Sequence, residues 1–484
     1  MARGWVLSLA RLFSGIVRIK IIALALGVAG VGVFSILAQL VLTGVTLISM
    51  SLAVPIINLG RPALASGQID EVGGLVGTAL AVVTAHALVI ATVVILFGDR
   101  LLVWLGIGRE AHGLFIPVLA AVLISSLSSS FWEGMSYLCD RFDLYVKVGI
   151  VGAAADLLFI ASGAATFGLR GAVFALPCAS LVLLLAYIWM LRGDPIAQAI
   201  LGRLSVRMKN LPRLYGYSAM MVATIAATNV TLTFLRSRVL LTAGSEANGY
   251  LQTATALASY ILAFVMTGFW GHLHARAASE GDCDGVRAEL RQSLRLGALI
   301  AFSGCGAAMV LAPYLLPIFY SRSFASASPL VLGYMIGEFG FQLLSMLIAY
   351  QLTVKRRGAY VALNLGYVAI LLGIGWIAIP TYGAWGYVFA HVAAALITAL
   401  AAALFAWSTG QVRTQSIGWA VGLLTIIMSD AALLLAMRGL IGQPTATAVA
   451  LLPFAASGLY LLGLLRAPIE RNRSTRTGAC DWSE

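Results

Sequence analysis

The chain has 484 residues, 61% of them hydrophobic and 10% charged, with a formal charge of +12. Soluble domains carry roughly 25% charged residues, so this composition excludes an ordinary soluble protein and places the chain in a lipid bilayer. The basic excess does not follow any nucleic-acid-binding motif, so its distribution along the chain is read as topology, with no nucleic-acid partner expected.

A helix that crosses a bilayer needs about 20 mostly apolar residues. About fourteen windows qualify, near 5–26, 31–58, 73–98, 112–138, 145–167, 170–191, 214–241, 248–271, 293–320, 328–352, 359–379, 384–408, 415–437 and 443–465. They are called spans 1 to 14 below. The first run is broken by Arg11, Arg18 and Lys20, so it reads as a span and not as a cleavable signal. With an inner N-terminus and alternating spans, the inner side holds 22 Lys and Arg. The outer side holds Arg100, Arg109, Arg170, Arg236, Arg238, Arg322 and Arg438. Positive residues favour the cytoplasmic side, so both termini are expected there. The longer inner loops, near 192–213 and 272–292, are expected to form short amphipathic helices at the interface.

The chain repeats itself. GVAGVG, beginning at Gly27, matches GSEANG, beginning at Gly244, so that Gly27 and Gly32 pair with Gly244 and Gly249 at a shift of 217. Gly30 completes the first cluster. YVKVGIVGAAADLLFIASGAATFGLRGAVFA, residues 145–175, matches YVALNLGYVAILLGIGWIAIPTYGAWGYVFA, residues 360–390, at a shift of 215. Two matches at nearly one offset predict two six-helix lobes. The glycines lie where one span must turn into the next, a place that needs a backbone free of Cβ clashes. An even number of spans per repeat relates the lobes by an axis along the membrane normal. The expected division is a lobe at 1–192, a basic linker at 193–212, a second lobe at 213–408, an extra helix pair at 409–466 and a basic tail at 467–484. The fold class is thus all-α integral membrane.

Ionisable residues inside a span cost about 2.5–3.5 kcal/mol at the helix centre and tend to face a bundle interior. In span 1, Ser8, Arg11, Ser14 and Arg18 share one helical face. Span 7 opens the second repeat and carries Arg213, Tyr217, Thr224, Thr228, Thr231 and Arg238 on one face, with Arg236 off it. These stripes make Arg11, Arg18, Arg236 and Arg238 candidates for a cationic cavity, since arginine grips phosphate bidentately and stays charged. The competing reading is that Arg11 and Arg238 reach to opposite membrane surfaces. Glu133, Asp156, Glu338 and Asp430 are candidates either to couple a proton or sodium ion or to serve as counter-charges. Tyr334, Glu338, Gln342 and Ser345 fall on one face of span 10. His86 and His391 read as helix-packing histidines. The five cysteines are scattered and give no disulfide or zinc spacing. His272 and His274 near Cys283 read as a solvated loop, so no metal is expected. No nucleophile, phosphate-loop or metal motif supports catalysis, and no cofactor is expected beyond a proton or sodium gradient.

The run RIKIIALALGVAGVGVFSILAQLVLTGVTLISM resembles the opening of the Wzx-type polysaccharide flippases, with a basic first helix, a glycine turn and an early glutamine, Gln39. SRSFASASPLVLGYMIGEFGFQLLSMLIAYQLTVKRRGAYVALNLGYV and PTYGAWGYVFAHVAAALITALAAALFAW resemble the same family. The similarity covers about residues 5–408 and extends to a superfamily that includes multidrug and lipid II exporters. It implies a two-lobed, twelve-helix core that works by alternating access, carrying an undecaprenyl-pyrophosphate-linked oligosaccharide such as an O-antigen repeat unit to the periplasmic leaflet. By the resemblance, Arg18 holds the basic position of the first helix and Gly27, Gly30 and Gly32 its turn. Membrane lipids, and a glycan polymerase and chain-length regulator, are the implied partners. The added C-terminal helix pair departs from twelve-span members and is shared with lipid II flippases, whose last pair forms a tail-binding groove. A lipid II-type flippase and a multidrug or metabolite cation antiporter are therefore alternatives. A membrane glycan polymerase or ligase and an assembly scaffold are the alternatives outside transport.

Overall fold

The computed structural model describes residues 2–107, 113–269, 283–412, 423–427 and 431–432. Among them the secondary structure is helical, with no strand. Among the described residues, nine stretches are long and apolar enough to cross a membrane. Three of the nine run through two sequence windows each: Leu9–Ala65, Phe142–Leu191 and Ser218–Ala263. Spans 1 to 12 are therefore all present as helices. Spans 13 and 14, the tail and Asp430 lie outside the described residues or barely touch them.

Four glycines with positive φ make the tightest reversals: Gly27 (64°), Gly168 (62°), Gly244 (86°) and Gly383 (56°). An L side chain resists this region because its Cβ crowds the following carbonyl. The chain doubles back there. In a straight helix, residues 163 and 171 would be about 12 Å apart, yet a Cβ on Gly163 would stand only 2.8 Å from the Gly171 carbonyl carbon. Gly386 approaches Ala378 with the same offset, a Cβ there being 2.6 Å from Ile379 N. Gly168 and Gly383 are the pair predicted by the shift of 215, and Gly27 and Gly244 the pair predicted by the shift of 217. All four reversals follow odd-numbered spans, so alternation puts them on one face of the membrane.

Gly32 and Gly249 serve a different purpose. A Cβ on Gly32 would strike the backbone of Ser245, and one on Gly249 the backbone of Val28. The contacts are reciprocal, since 28 and 32 become 245 and 249 under the repeat shift. A self-complementary contact of this kind is the mark of a local two-fold relation. Asn248 fastens it by donating from Nδ2 to Gly32 O at 2.6 Å and to Ser35 Oγ at 3.2 Å. Gly30 packs within its own corner, facing Leu26.

By packing, the chain forms two compact units: Met1–Gly249 with Phe319–Ser321, and Tyr250–Ile318 with the remainder from Arg322. The repeat boundary expected at 193–212 and the packing boundary at Gly249 are different quantities. The first helix of the second repeat, Leu211 to Gly244, packs with the first unit. Thr43 and Thr233 share a hydroxyl hydrogen bond of 2.8 Å, and Asn229 Nδ2 donates to Thr46 Oγ1 at 2.9 Å. An apolar core beside these bonds joins Ile48, Leu52 and Ile56 of span 2 to Val72, Val76 and Val83 of span 3 and Met135 of span 4.

The linker between the repeats is only partly as expected. A seven-residue helix, Pro195–Leu201, is capped by Asp194, whose Oδ1 accepts from Ile196 N at 2.9 Å and Ala197 N at 3.0 Å. Arg141 holds the other carboxylate oxygen at 2.6 Å. The chain then leaves the helix at Gly202 and is extended, with φ −120° and ψ 108° at Arg207. It has no room to coil because it lies in a groove of glycines, Gly73, Gly74 and Gly77, at the start of the helix Ile69–Trp104. A Cβ on Gly77 would be 2.8 Å from Ser205 N. In the second long loop, 272–282 lies outside the described residues and helix begins at Asp284.

Candidate functional site

Among the described residues, each unit contains a cluster of ionisable and aromatic side chains inside its apolar helices. In the first unit, the polar stripe of span 1 faces span 5. Ser14 Oγ donates to Ala153 O at 2.5 Å, and Arg18 Nη1 donates to Asp156 Oδ2 at 3.0 Å. The Arg11 guanidinium lies over the Tyr145 ring, 5.9 Å from its centroid. Positions 11, 14 and 18 meet 145, 153 and 156, so both helices advance in the same direction, as spans 1 and 5 must if crossings alternate. Gly149 leaves room for span 1 at Leu7, since a Cβ there would be 2.7 Å from Leu7 Cδ1.

Glu133 joins this cluster from span 4, interacting with the Tyr145 hydroxyl and, through charge, with Arg11. Tyr137 and Tyr187 complete a group of three phenols near that carboxylate. The Tyr137 and Tyr145 rings are 4.9 Å apart. Two local distortions set these acids. Ser128–Trp132, just before Glu133, and Asp156–Ile160 are both π-helical turns. Such turns widen the helix by one residue and recur at functional sites. The side chains of Arg18 and Asp156 remain 32% and 47% exposed, so the ion pair is reachable and not sealed.

The four predicted cations thus have different surroundings. Arg11 and Arg18 each stand beside a carboxylate of their own unit. Arg236 is buried and Arg238 half-buried on the first helix of the second repeat, and both have interaction partners. On the same helix, Thr224 bonds to carbonyls of its own helix, and Arg213 pairs with Glu71 at 3.4 Å.

In the second unit, Glu338 is buried, with His391 Nε2 3.6 Å from Oε2 and Gln342 Nε2 donating to Oε1 at 3.2 Å. The His391 ring is fixed on two sides. Tyr334 stacks on it at 4.2 Å with an interplanar angle of 8°, and the Tyr367 hydroxyl meets Nδ1 at 3.0 Å. Gly337 admits the ring, since a Cβ there would be 2.7 Å from His391 Cδ2. The buried Gln342 Oε1 and His391 Nε2 have no hydrogen-bond partner. Tyr334, Glu338 and Gln342 were legible as one polar face, whereas Ser345 bonds only to Phe341 O of its own helix. His391, read as a packing residue, links spans 10, 11 and 12 and is also Glu338's neighbour. His86 does fit the packing reading, bonded to Tyr215 at 3.0 Å and Ile48 O at 3.4 Å.

The sequence reasoning missed Tyr145, Tyr187, Tyr367 and Thr43. Buried tyrosines give no signal of their own among sixteen tyrosines. The repeat held one clue, because it matches Tyr145 with Tyr360. Among the described residues no cluster of His, Cys, Asp and Glu has the makings of a metal site, and Cys139, Cys178, Cys283 and Cys305 form no disulfide. His272 and His274 lie outside them.

No protein-family model matches the chain, and no curated protein matches it. Solved structures do. The chain is similar to the lipid II flippase MurJ in an inward closed conformation, with TM-score 0.69, 13% identity, and 95% of this chain and 98% of that one covered. It is similar to an inward-facing multidrug resistance MATE-family transporter of the MOP superfamily, with TM-score 0.68, 15% identity, and coverage of 87% and 96%. A third is a MOP-superfamily transporter from Pyrococcus furiosus, with TM-score 0.62, 14% identity and coverage of 88% and 96%, described by a binding pocket of reverse polarity that suggests a different function. At these identities the likeness establishes the fold: this chain has the multi-pass helical fold of MOP-superfamily transporters.

Proposed function

We propose that the protein is a flippase that moves an undecaprenyl-pyrophosphate-linked oligosaccharide, an O-antigen or exopolysaccharide repeat unit, across a bacterial inner membrane by alternating access. The observation that carries this reading is the Arg11, Arg18, Glu133 and Asp156 cluster, set among tyrosines and inside membrane helices of a fold shared with a lipid II flippase. A charged residue in a span is retained where it faces partners or a hydrated path. Guanidinium groups match pyrophosphate in geometry and charge, and tyrosine faces and hydroxyls suit a sugar. In the resting arrangement Asp156 occupies Arg18. Cargo phosphate competes for the same guanidinium, and a carboxylate released within the membrane takes up a proton or cation. Cargo entry is thereby tied to an ion gradient. Arg236 and Arg238 supply further positive charge on the first helix of the second repeat.

The test is a deletion strain. Lipid-linked repeat units are expected to accumulate on the inner leaflet, and wild-type protein to clear them. Arg18→Lys is expected to retain part of the activity and Arg18→Glu none, at equal protein level. Full clearance by Arg18→Glu would end this reading.

One observation favours a second reading, a cation antiporter like the MATE transporters: the buried Glu338 beside His391 offers a negative site deep in the second unit. Extrusion of cationic dyes that is lost in Glu338→Gln, with no lipid-linked glycan accumulating on deletion, would favour it.

A further inference from the structure

The strap between the repeats has two unlike sides. Arg203, Ser205 and Arg207 lie against the glycine groove of the helix Ile69–Trp104. The seat is fastened at Thr78, which accepts from Arg207 N at 2.9 Å and donates to Gly74 O at 2.6 Å. In an extended chain alternate residues point to opposite sides. Leu204 and Val206 therefore face outward, and Met208 follows at the next step. They are 37%, 62% and 72% exposed. Ile196, on the preceding short helix, is also exposed. Four large apolar side chains thus stand uncovered at the mouth of a membrane-spanning helix.

The charges beside them are sorted. The acids that open that helix, Asp70 and Glu71, are neutralised by Arg203 at 3.3 Å and Arg213 at 3.4 Å. Arg207 packs its side chain into the groove on Gly74, whereas Arg192 and Lys209 are exposed and, among the described residues, none forms an ion pair with them. Apolar side chains flanked by uncompensated cations at a membrane rim match one occupant, an anionic lipid surface, in which the apolar groups enter the acyl boundary and the cations meet phosphate. A protein partner would be expected to bring acidic residues for these cations, yet the acids nearest the strap are already paired.

We propose that residues 203–209, with Ile196, dock on anionic phospholipid of the leaflet next to them, fixing the linker between the two repeats to the bilayer surface. This goes beyond transport and does not depend on the cargo.

The experiment uses the full chain, with Cys178, Cys283 and Cys480 replaced by serine, Val206→Cys labelled with an environment-sensitive dye, and reconstitution into vesicles of phosphatidylcholine alone or mixed with phosphatidylglycerol. The dye is expected to be quenched by spin-labelled lipid in the mixed vesicles and by aqueous iodide in phosphatidylcholine. Adding Arg192→Gln and Lys209→Gln is expected to return it to water in both. In parallel, native mass spectrometry of the unlabelled Arg192→Gln, Lys209→Gln protein is expected to show phosphatidylglycerol held about fivefold less tightly for each cation removed, with phosphatidylcholine unchanged. This arm needs no label and gives a result even if the labelled variant does not fold. A dye that stays in water in both vesicles, retention that ignores head-group charge, or shielding seen only in membranes containing other proteins would each overturn the proposal.

Discussion

Arg18 carries a full charge into an otherwise apolar helix, and Asp156 meets it 3.0 Å away. Removing one partner strands the other, whereas removing both leaves little to compensate. A double-mutant cycle of Arg18→Gln and Asp156→Asn is therefore expected to show a coupling of about 0.5–3 kcal/mol, read as apparent melting temperatures in detergent. Additive losses would mean that the pair contributes nothing as a pair. Both residues were legible in the sequence as in-membrane charges, but their partnership was not, because they lie 138 positions apart and a single sequence carries no contact information. Glu338 makes a comparable case. If it handles the coupling ion, Glu338→Gln is expected to leave substrate binding intact and to abolish transport driven by an imposed proton or sodium gradient, measured in proteoliposomes. Cys139, between spans 4 and 5, gives a third expectation. Burial and the nearby Asp194 push its thiol up to about 12, and the thiolate is the reactive form. Maleimide is expected to leave Cys139 unmodified at neutral pH in the folded protein and to react once it is denatured, as peptide mass mapping would show.

At the scale of elements, the glycine corners were the most legible feature. Repeated glycines at a fixed shift predicted where the chain turns, because few residues besides glycine adopt positive φ. Their two kinds of use were not legible. Gly27 needs its dihedral and has open space around it, whereas Gly32 needs the absence of a side chain against Ser245. Gly27→Ala is thus expected to cost about 1–2 kcal/mol, and Gly32→Ala about 3 kcal/mol through backbone overlap. Equal losses in thermal unfolding would contradict that ranking. The π-helical turns at Ser128–Trp132 and Asp156–Ile160 left no trace in the hydropathy pattern, since one added residue in a turn shifts the apolar face too little to register. The second half of the linker was misread for a related reason: a short helix forms at Pro195–Leu201, but residues 204–207 do not continue it. Its composition suits an amphipathic helix, but glycines more than a hundred residues earlier make a groove that holds it extended.

For the molecule as a whole, composition and span length fixed the class, and the internal repeat gave twelve of the helices in order. The packing units were not legible, because they depend on the first helix of the second repeat lying against span 2, and repetition says nothing about compactness. Orientation remains a matter of charge. The excess of Lys and Arg on the inner side predicts that reporters fused after Trp407 or within 193–212 will be active only as cytoplasmic fusions.

The charge bias predicts that the four glycine corners face the outside of the cell, with a practical outcome for anyone probing this protein from there. On that face, Gly27, Gly168, Gly244 and Gly383 leave almost no chain protruding between their paired helices. Proteases, antibodies and water-soluble labels would find closed elbows there, and epitope insertions would break them. Among spans 1 to 12, surface access from that side narrows to the stretches joining spans 3 to 4 and 9 to 10.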